Sequence, residues 1–196
     1  MTALGAAGAA PSAPWRHVVL VGLPGAGKST VGAAVAEAMQ RPFVDFDAVI
    51  EREAGRRVSE LFAEYGEAHF RALEATLSER LAAAGEACVL APGGGWAANA
   101  SAVAALRPRS WVVWLTVGVD EALRRIRAQG GGRPLLAGVD PEAALATLLA
   151  ARQPQYAAAD AQVGTEGLTV AEVVRRVVLV ASQLPGSLAI RPVSDF

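Results

Sequence analysis

Short β-branched runs alternate along the chain with longer stretches rich in Ala, Leu, Glu and Arg, the pattern of strands buried on both faces and joined by helical crossovers. The strands so predicted are His17 to Gly22, Pro42 to Phe46, Ala87 to Pro92, Ser110 to Thr116 and, from the weakest run, Ala161 to Thr165. Between them the spacing predicts helices over Lys28 to Gln40, Asp47 to Gly55, Val58 to Tyr65, Gly66 to Ala84, Ala97 to Leu106, Asp120 to Gln129, Pro141 to Ala158 and Thr169 to Leu184. In the last of these, Val170, Val173, Val174, Val177, Val178, Ala181 and Leu184 recur at helical spacing. Glu172, Arg175 and Arg176 occupy the opposite face, so this helix is expected to pack on a sheet. The fold class is α/β, three layers, with a five-stranded parallel sheet flanked by helices.

Two places break the alternation. Between the second and third strands lies more helix than one crossover needs, punctuated by Gly55, Gly66 and Gly85, which predicts a helical substrate-binding insertion over about 47–85. The other is Gln129-Gly-Gly-Gly-Arg-Pro-Leu-Leu-Ala-Gly138, a glycine-rich loop around one arginine that reads as a mobile lid over about 129–140, or otherwise as a plain connector. Residues 1–14 read as a disordered N-terminal tail or a misplaced start, without the cationic start and apolar stretch of a signal peptide. A single domain is expected over 15–184, followed by a C-terminal tail, 185–196.

Composition narrows the classes. At 196 residues, 53% hydrophobic and with a net charge of -1, the chain has the material for one core and no electrostatic footprint for nucleic acid or an anionic membrane. No segment reaches the roughly 18 apolar residues of a membrane span, and the expectation is a cytoplasmic monomer. The one cysteine, Cys88, lies in an apolar run and reads as a small buried hydrophobe. His17 and His69 are too far apart in the chain to suggest a zinc site.

Among 18 basic residues there is a single lysine, Lys28. It falls within Gly22-Leu-Pro-Gly-Ala-Gly-Lys-Ser29, a full Gly-x-x-x-x-Gly-Lys-[Ser/Thr] match between an apolar strand and a helix, as a P-loop requires. The backbone N–H groups of Gly25, Ala26 and Gly27 and of the helix start would point at nucleotide phosphates. Lys28 would reach the β and γ phosphates of ATP as a compact point charge, a role that the planar arginine fork does not reproduce. Ser29 would offer its hydroxyl to Mg²⁺, and Thr30 would contact the α-phosphate.

Nucleotide binding leaves several functions open. A regulatory GTPase needs an Asn-Lys-x-Asp segment, which a chain with no second lysine cannot contain. Motor and transporter ATPases carry an acid at the end of an apolar strand, whereas Trp111 to Leu115 ends in Thr116. The acids instead close the second strand, in Phe43-Val-Asp-Phe-Asp47. At i and i+2 of an extended segment, Asp45 and Asp47 would face one side, one suited to Mg²⁺ and the other to a substrate hydroxyl. Asp47 also reads as a helix N-cap.

The P-loop and the ordered set after it together resemble the shikimate kinase family. The set is Asp45-Phe-Asp47, Ile50-Glu51, Gly55-Arg-Arg-Val-Ser-Glu-Leu-Phe62, Gly66-Glu-Ala-His-Phe-Arg71 with Glu74, Gly93-Gly-Gly95, Arg133-Pro-Leu-Leu136 and Arg152-x-Pro-x-Tyr156. The likeness runs from about Val18 to Leu184. It implies a P-loop kinase of the nucleoside-monophosphate-kinase type, with a substrate-binding insertion and a lid, that transfers the γ-phosphoryl of ATP to the 3-hydroxyl of shikimate in aromatic amino acid biosynthesis. It further implies Mg²⁺ at Ser29 and, through water, at Asp45. Shikimate would be held by Asp47, Arg71, Arg152 and the Gly93, Gly94, Gly95 backbone, with Arg133 as the lid arginine on the phosphates. Lys28, Asp47 and Arg133 are the catalytic candidates.

Taken alone, Arg71 and Arg152 read as solvated helix charges, and Gly93 to Gly95 as a strand-to-helix turn. Within the set they read as a carboxylate clamp and a close-approach loop. Glu74, three residues from Arg71 on one helix, reads as its partner. Two features depart from the family: Trp96, with Pro92 before the triplet, stands where a smaller residue is usual, and Gly164 to Thr169 lacks the basic residue that often lies against adenine. The other readings are a gluconate- or nucleotide-directed kinase and a non-catalytic nucleotide-binding module.

Overall fold

A computed structural model of the chain describes residues 16–128 and 140–183. The five apolar runs form one sheet in the order β2-β3-β1-β4-β5, with every neighbouring pair parallel. The strands are β1 (His17–Val21), β2 (Phe43–Asp45), β3 (Val89–Ala91), β4 (Ser110–Thr116) and β5 (Ala161–Gly164). The helices are α1 (Lys28–Ala38), α2 (Phe46–Ala54), α3 (Val58–Ala83), α4 (Ala100–Leu106), α5 (Val119–Ala128), α6 (Pro141–Ala157) and α7 (Val170–Gln183).

Strand residues alternate between two cores, as a strand covered on both sides must. Val18, Leu20, Val89, Val113, Leu115 and Val163 pack with Val31 and Val35 of α1 and Val173, Val177 and Ala181 of α7. Val19, Val21, Leu90 and Val112 face the other way, onto Phe70 and Leu77 of α3, Leu106 of α4 and Tyr156 of α6.

The strand order decides where the site lies. The chain leaves β1 for the sheet edge, returns to place β3 beside β1, then crosses to β4 on the other side of β1. Ligand crevices in such sheets open beyond the carboxyl ends of the strands at this switch point. Because β1 and β3 are parallel neighbours, with Val18 opposite Val89, the loops leaving them lie side by side.

The two helices expected over Val58 to Tyr65 and Gly66 to Ala84 are both present and together make up α3, divided as expected by a kink at Gly66, whose φ of 78° lies outside the helical region. Other boundaries shift. The helix expected over Ala97 to Leu106 is two pieces, a 3-10 turn at Trp96–Ala98 and then α4. The division falls at Asn99, whose side chain takes the N–H of Ala102 and starts the second helix. Val170, assigned to the buried stripe of the last helix, is 44% exposed at the first residue of α7, whose buried residues begin at Val173. The expected tails, 1–14 and 185–196, and all of the expected lid except Asp140 lie outside the described residues. Among those described, no helix is long and apolar enough to cross a membrane.

Candidate functional site

The loop from β1 to α1 wraps tightly because its glycines permit what other residues do not. Gly25 has a φ of 82°, and a Cβ there would stand 2.5 Å from the carbonyl oxygen of Ala122 on α5. Gly27, φ 92°, precedes α1, and no side chain caps the first amides of that helix. Those amides and the positive end of the helix suit an anion. Lys28 Nζ donates to the carbonyls of Gly22 at 3.0 Å and Leu23 at 3.1 Å, lying across the loop that its charge would serve.

Ser29 Oγ donates to Asp45 Oδ2 at 2.5 Å, joining α1 to the end of β2 across 16 residues. The other Asp45 oxygen accepts the N–H of Ala48 at 3.3 Å, so Asp45 is the N-cap of α2. This corrects two expectations. The cap is Asp45, and Asp47 lies in the first turn of α2, so the two acids do not share one extended strand. Asp47 reaches the site by the turn of the helix instead.

The glycine triplet after β3 gathers the remaining residues. A Cβ on Gly93 would stand 2.9 Å from Glu74 Oε1 and 3.3 Å from Asp47 Oδ1. On Gly94 it would meet Arg152 Nη1 at 2.9 Å and Gly22 O at 3.5 Å, and on Gly95 it would fall on the Arg71 guanidinium. Side chains on Gly93, Gly94 and Gly95 would therefore collide in turn with Glu74 and Asp47, with Arg152 and with Arg71. Three residues far apart in the chain, Asp47, Arg71 and Arg152, thus converge on one short backbone segment beside the P-loop.

The two arginines are held differently. Arg71 Nη1 donates to Glu74 Oε2 at 2.6 Å, and its Nε and Nη2 donate to Glu67 Oε1 at 3.2 and 2.8 Å. Burial disfavours the Arg71 charge, but the paired carboxylates outweigh it and raise its pKa. Burial pushes the Glu74 carboxyl up, with Asp47 adding to the rise and Arg71 and Asn99 opposing it. Arg152 sits on α6, four residues before Tyr156, whose buried hydroxyl lies 2.6 Å from Gly94 O and 3.2 Å from Gly22 O. Burial raises the Tyr156 pKa, and the Arg152 guanidinium pulls against it.

Trp96 does not enter this space. It is 1% exposed within the α3 side of the core, and its Nε1 donates to Ser78 Oγ at 3.1 Å, which in turn donates to the Glu74 carbonyl at 2.8 Å. The bulky residue after the triplet thus ties the triplet to α3, the helix that carries Arg71 and Glu74.

On the nucleotide side, Arg125 of α5 had no distinguishing pattern in the sequence. Its Nη1 donates to Thr165 Oγ1 at 3.0 Å and reaches Gly25 O at 3.4 Å, while Nη2 donates to Thr165 O at 2.9 Å. A base thus stands against the segment after β5, supplied from another element. Ala26 is buried and Thr30 exposed at the loop. Arg133 lies outside the described residues. Among those described, no group of three or more His, Cys, Asp or Glu could hold a metal ion.

Residues 24–182 match the family model for shikimate kinase. The shikimate kinase of Salinispora arenicola is 49% identical over 154 residues, covering 77% of this chain and 89% of that protein. The shikimate kinase of Synechococcus sp. strain RCC307 is 41% identical over 172 residues, 88% of this chain and 86% of its own. The structure of shikimate kinase from Acinetobacter baumannii in complex with shikimate superposes with a TM-score of 0.80 at 34% identity, covering 86% of this chain and 94% of that one. A P-loop ahead of a triplet that gathers two arginines and an aspartate, on this sheet order and at these identities, makes the chain a member of the shikimate kinase family, ATP-dependent phosphotransferases with an alcohol acceptor.

Proposed function

We propose that the chain transfers the γ-phosphoryl group of ATP to the 3-hydroxyl of shikimate, with the acceptor seated on Gly93, Gly94 and Gly95. The observation that carries this reading is the convergence of Asp47, Arg71 and Arg152 on that triplet, next to Gly22 of the P-loop. A small hydroxy-carboxylate needs a cationic clamp and a group that orients its hydroxyl, and these side chains are of both kinds. Arg71 and Arg152 hold the acceptor carboxylate, Arg71 being kept in place by Glu74. Asp47 takes a hydrogen bond from the attacking hydroxyl and aims it at the phosphate. Lys28 and the first amides of α1 hold the β and γ phosphates and offset charge as the phosphoryl group moves. Arg133, which lies outside the described residues, would help offset that charge as the arginine of the segment expected as a lid, about 129–140. α2 and α3 form the acceptor-binding insertion, about 47–85.

Ser29 and Asp45 fit Mg²⁺: two hard oxygen donors, already 2.5 Å apart, stand at the start of the P-loop helix. Held by these two oxygens, Mg²⁺ would neutralise phosphate charge. No covalent enzyme intermediate is required, since positioning and charge stabilisation supply most of phosphoryl-transfer catalysis.

The test is ADP release with ATP and Mg²⁺ against shikimate, gluconate and nucleoside monophosphates. Release that depends on shikimate is the expected result. Release driven by gluconate or a nucleotide would move the acceptor assignment, and ATP binding without transfer to any of them would leave a non-catalytic module.

A further inference from the structure

Tyr156 belongs to the Arg152-x-Pro-x-Tyr156 motif, yet phosphoryl transfer as described gives it no task. It is fully buried in the core, 5.8 Å from the Trp114 ring between centroids. Its hydroxyl nevertheless lies between two backbone carbonyls from different loops, Gly94 O at 2.6 Å and Gly22 O at 3.2 Å. The phenol has one proton to donate. The shorter contact gives it to Gly94, and Gly22 O is meanwhile served by Lys28 Nζ at 3.0 Å.

We propose that Tyr156 is a positioning residue that couples the nucleotide loop to the acceptor loop by exchanging its hydrogen bond between Gly94 and Gly22. The proposal rests on the reading of Lys28 as the phosphate contact and of Gly94 with Arg152 as acceptor contacts. When a phosphate draws Lys28 away, the buried Gly22 carbonyl loses a charged donor, and a buried acceptor left unserved is costly. The Tyr156 hydroxyl is then the neighbouring donor, and turning its O–H towards Gly22 needs no movement of the packed ring. Gly94 O loses that bond in the same event. The segment released touches the acceptor clamp directly, because Arg152 Nη1 stands 2.9 Å from the place of a Gly94 Cβ. Occupancy of one half-site therefore changes the hydrogen bonding of the other, and by linkage the effect is reciprocal.

The experiment is calorimetric titration of the full chain with shikimate, alone and with the β,γ-imido analogue of ATP plus Mg²⁺, in wild type and Tyr156→Phe. In wild type the two dissociation constants should differ by about fivefold or more, a typical coupling. In Tyr156→Phe each ligand still binds and the ratio falls to about one. A Tyr156 with a structural role only predicts a lower melting temperature with the ratio unchanged. A second measurement does not depend on the variant's folding. The chain has two tyrosines, so 3-fluorotyrosine labelling gives two fluorine signals, assigned with Tyr65→Phe, and the nucleotide analogue alone should shift that of Tyr156. A wild-type ratio of one, an unchanged ratio in the variant or an unmoved Tyr156 signal overturns the coupling while leaving the site assignment standing. A wild type that binds neither ligand overturns both.

Discussion

Glu74 has no exposed surface, and its Oε2 takes a 2.6 Å hydrogen bond from Nη1 of Arg71, one turn earlier on the same helix. The pair holds the Arg71 guanidinium beside the triplet with its geometry set from behind. Glu74→Gln keeps the shape and removes the charge, leaving Glu67, 65% exposed, as the remaining carboxylate on Arg71. The KM for shikimate should rise roughly tenfold, the loss of about 1.4 kcal/mol, while the KM for ATP stays within about twofold. Arg71→Leu should cost more stability than a surface arginine, up to about 3–5 kcal/mol, because it strands a buried carboxylate. Protonation of Glu74, whose pKa burial already raises, will recover part of that as pH falls. Urea denaturation of both variants beside their kinetics separates the two effects.

Asp45 and Asp47 differ by two positions and should fail differently. Asp47→Asn keeps the helix and removes the charge proposed to orient the hydroxyl, so kcat should drop by about 10²–10⁴ with ATP binding little changed. Near-normal turnover would remove Asp47 from the mechanism. Asp45→Asn leaves a side chain able to cap α2, so stability should move by less than about 1 kcal/mol. Its effect should instead be a rise in the Mg²⁺ concentration needed for half-maximal rate, measured by Mg²⁺ titration at fixed ATP.

Arg125 joins Thr165 to the P-loop carbonyl of Gly25 while its Nε donates to Glu121 at 2.7 Å. Arg125→Ala should raise the KM for ATP several-fold, and up to about tenfold, with the shikimate KM less affected, since hydrogen bonds from a charged group contribute about 1.5–3 kcal/mol before solvent screening. Arg125→Lys should not restore it, because an ammonium cannot span Thr165 O, Thr165 Oγ1 and Glu121 as the planar fork does. Equal loss in both KM values would point to general unfolding of the loop.

What the residues showed by themselves was local, and the grouping of Asp47, Arg71 and Arg152 with Gly93 to Gly95 was legible only through the family resemblance. The strands show as β-branched runs, α7 as a 3.6-residue stripe, and the P-loop as a contiguous pattern whose lysine stands alone. That Asp45 and not Asp47 caps α2 was hidden because the helix begins directly after β2, which no periodicity over three residues reveals. The inward turn of Trp96 depends on Ser78, 18 residues away, and that contact exists only once α3 packs beside the triplet. Tyr156 meets Gly22 across 134 residues and Arg125 meets Gly25 across 100. Such pairs follow from strand order, since β1 lies between β3 and β4, and strand order is not carried by any single segment.

His17 supplies a pH dependence outside the site. It is fully buried at the start of β1, where Nδ1 accepts the N–H of Cys88 at 3.1 Å and Nε2 lies 3.2 Å from the carbonyl of Leu81 near the end of α3. This pattern requires the neutral ring with its proton on Nε2, because protonating Nδ1 would set two donors face to face. Burial lowers its pKa below the ordinary value of 6.5, the Leu81 carbonyl opposes this, and the Arg41 and Arg109 charges lower it further. With the folded pKa depressed, the unfolded chain binds the proton first. The contribution of His17 to stability is then complete above about pH 6.5 and is lost as pH falls from there through the folded pKa, at up to about 1.4 kcal/mol per pH unit. Most carboxylates titrate below this window. Melting temperatures of wild type between about pH 7.5 and 5.5 should fall, and those of His17→Asn, which keeps an acceptor and a donor without a titrating ring, should fall less steeply from a lower start. Parallel slopes in the two proteins would show that another group carries the acid sensitivity.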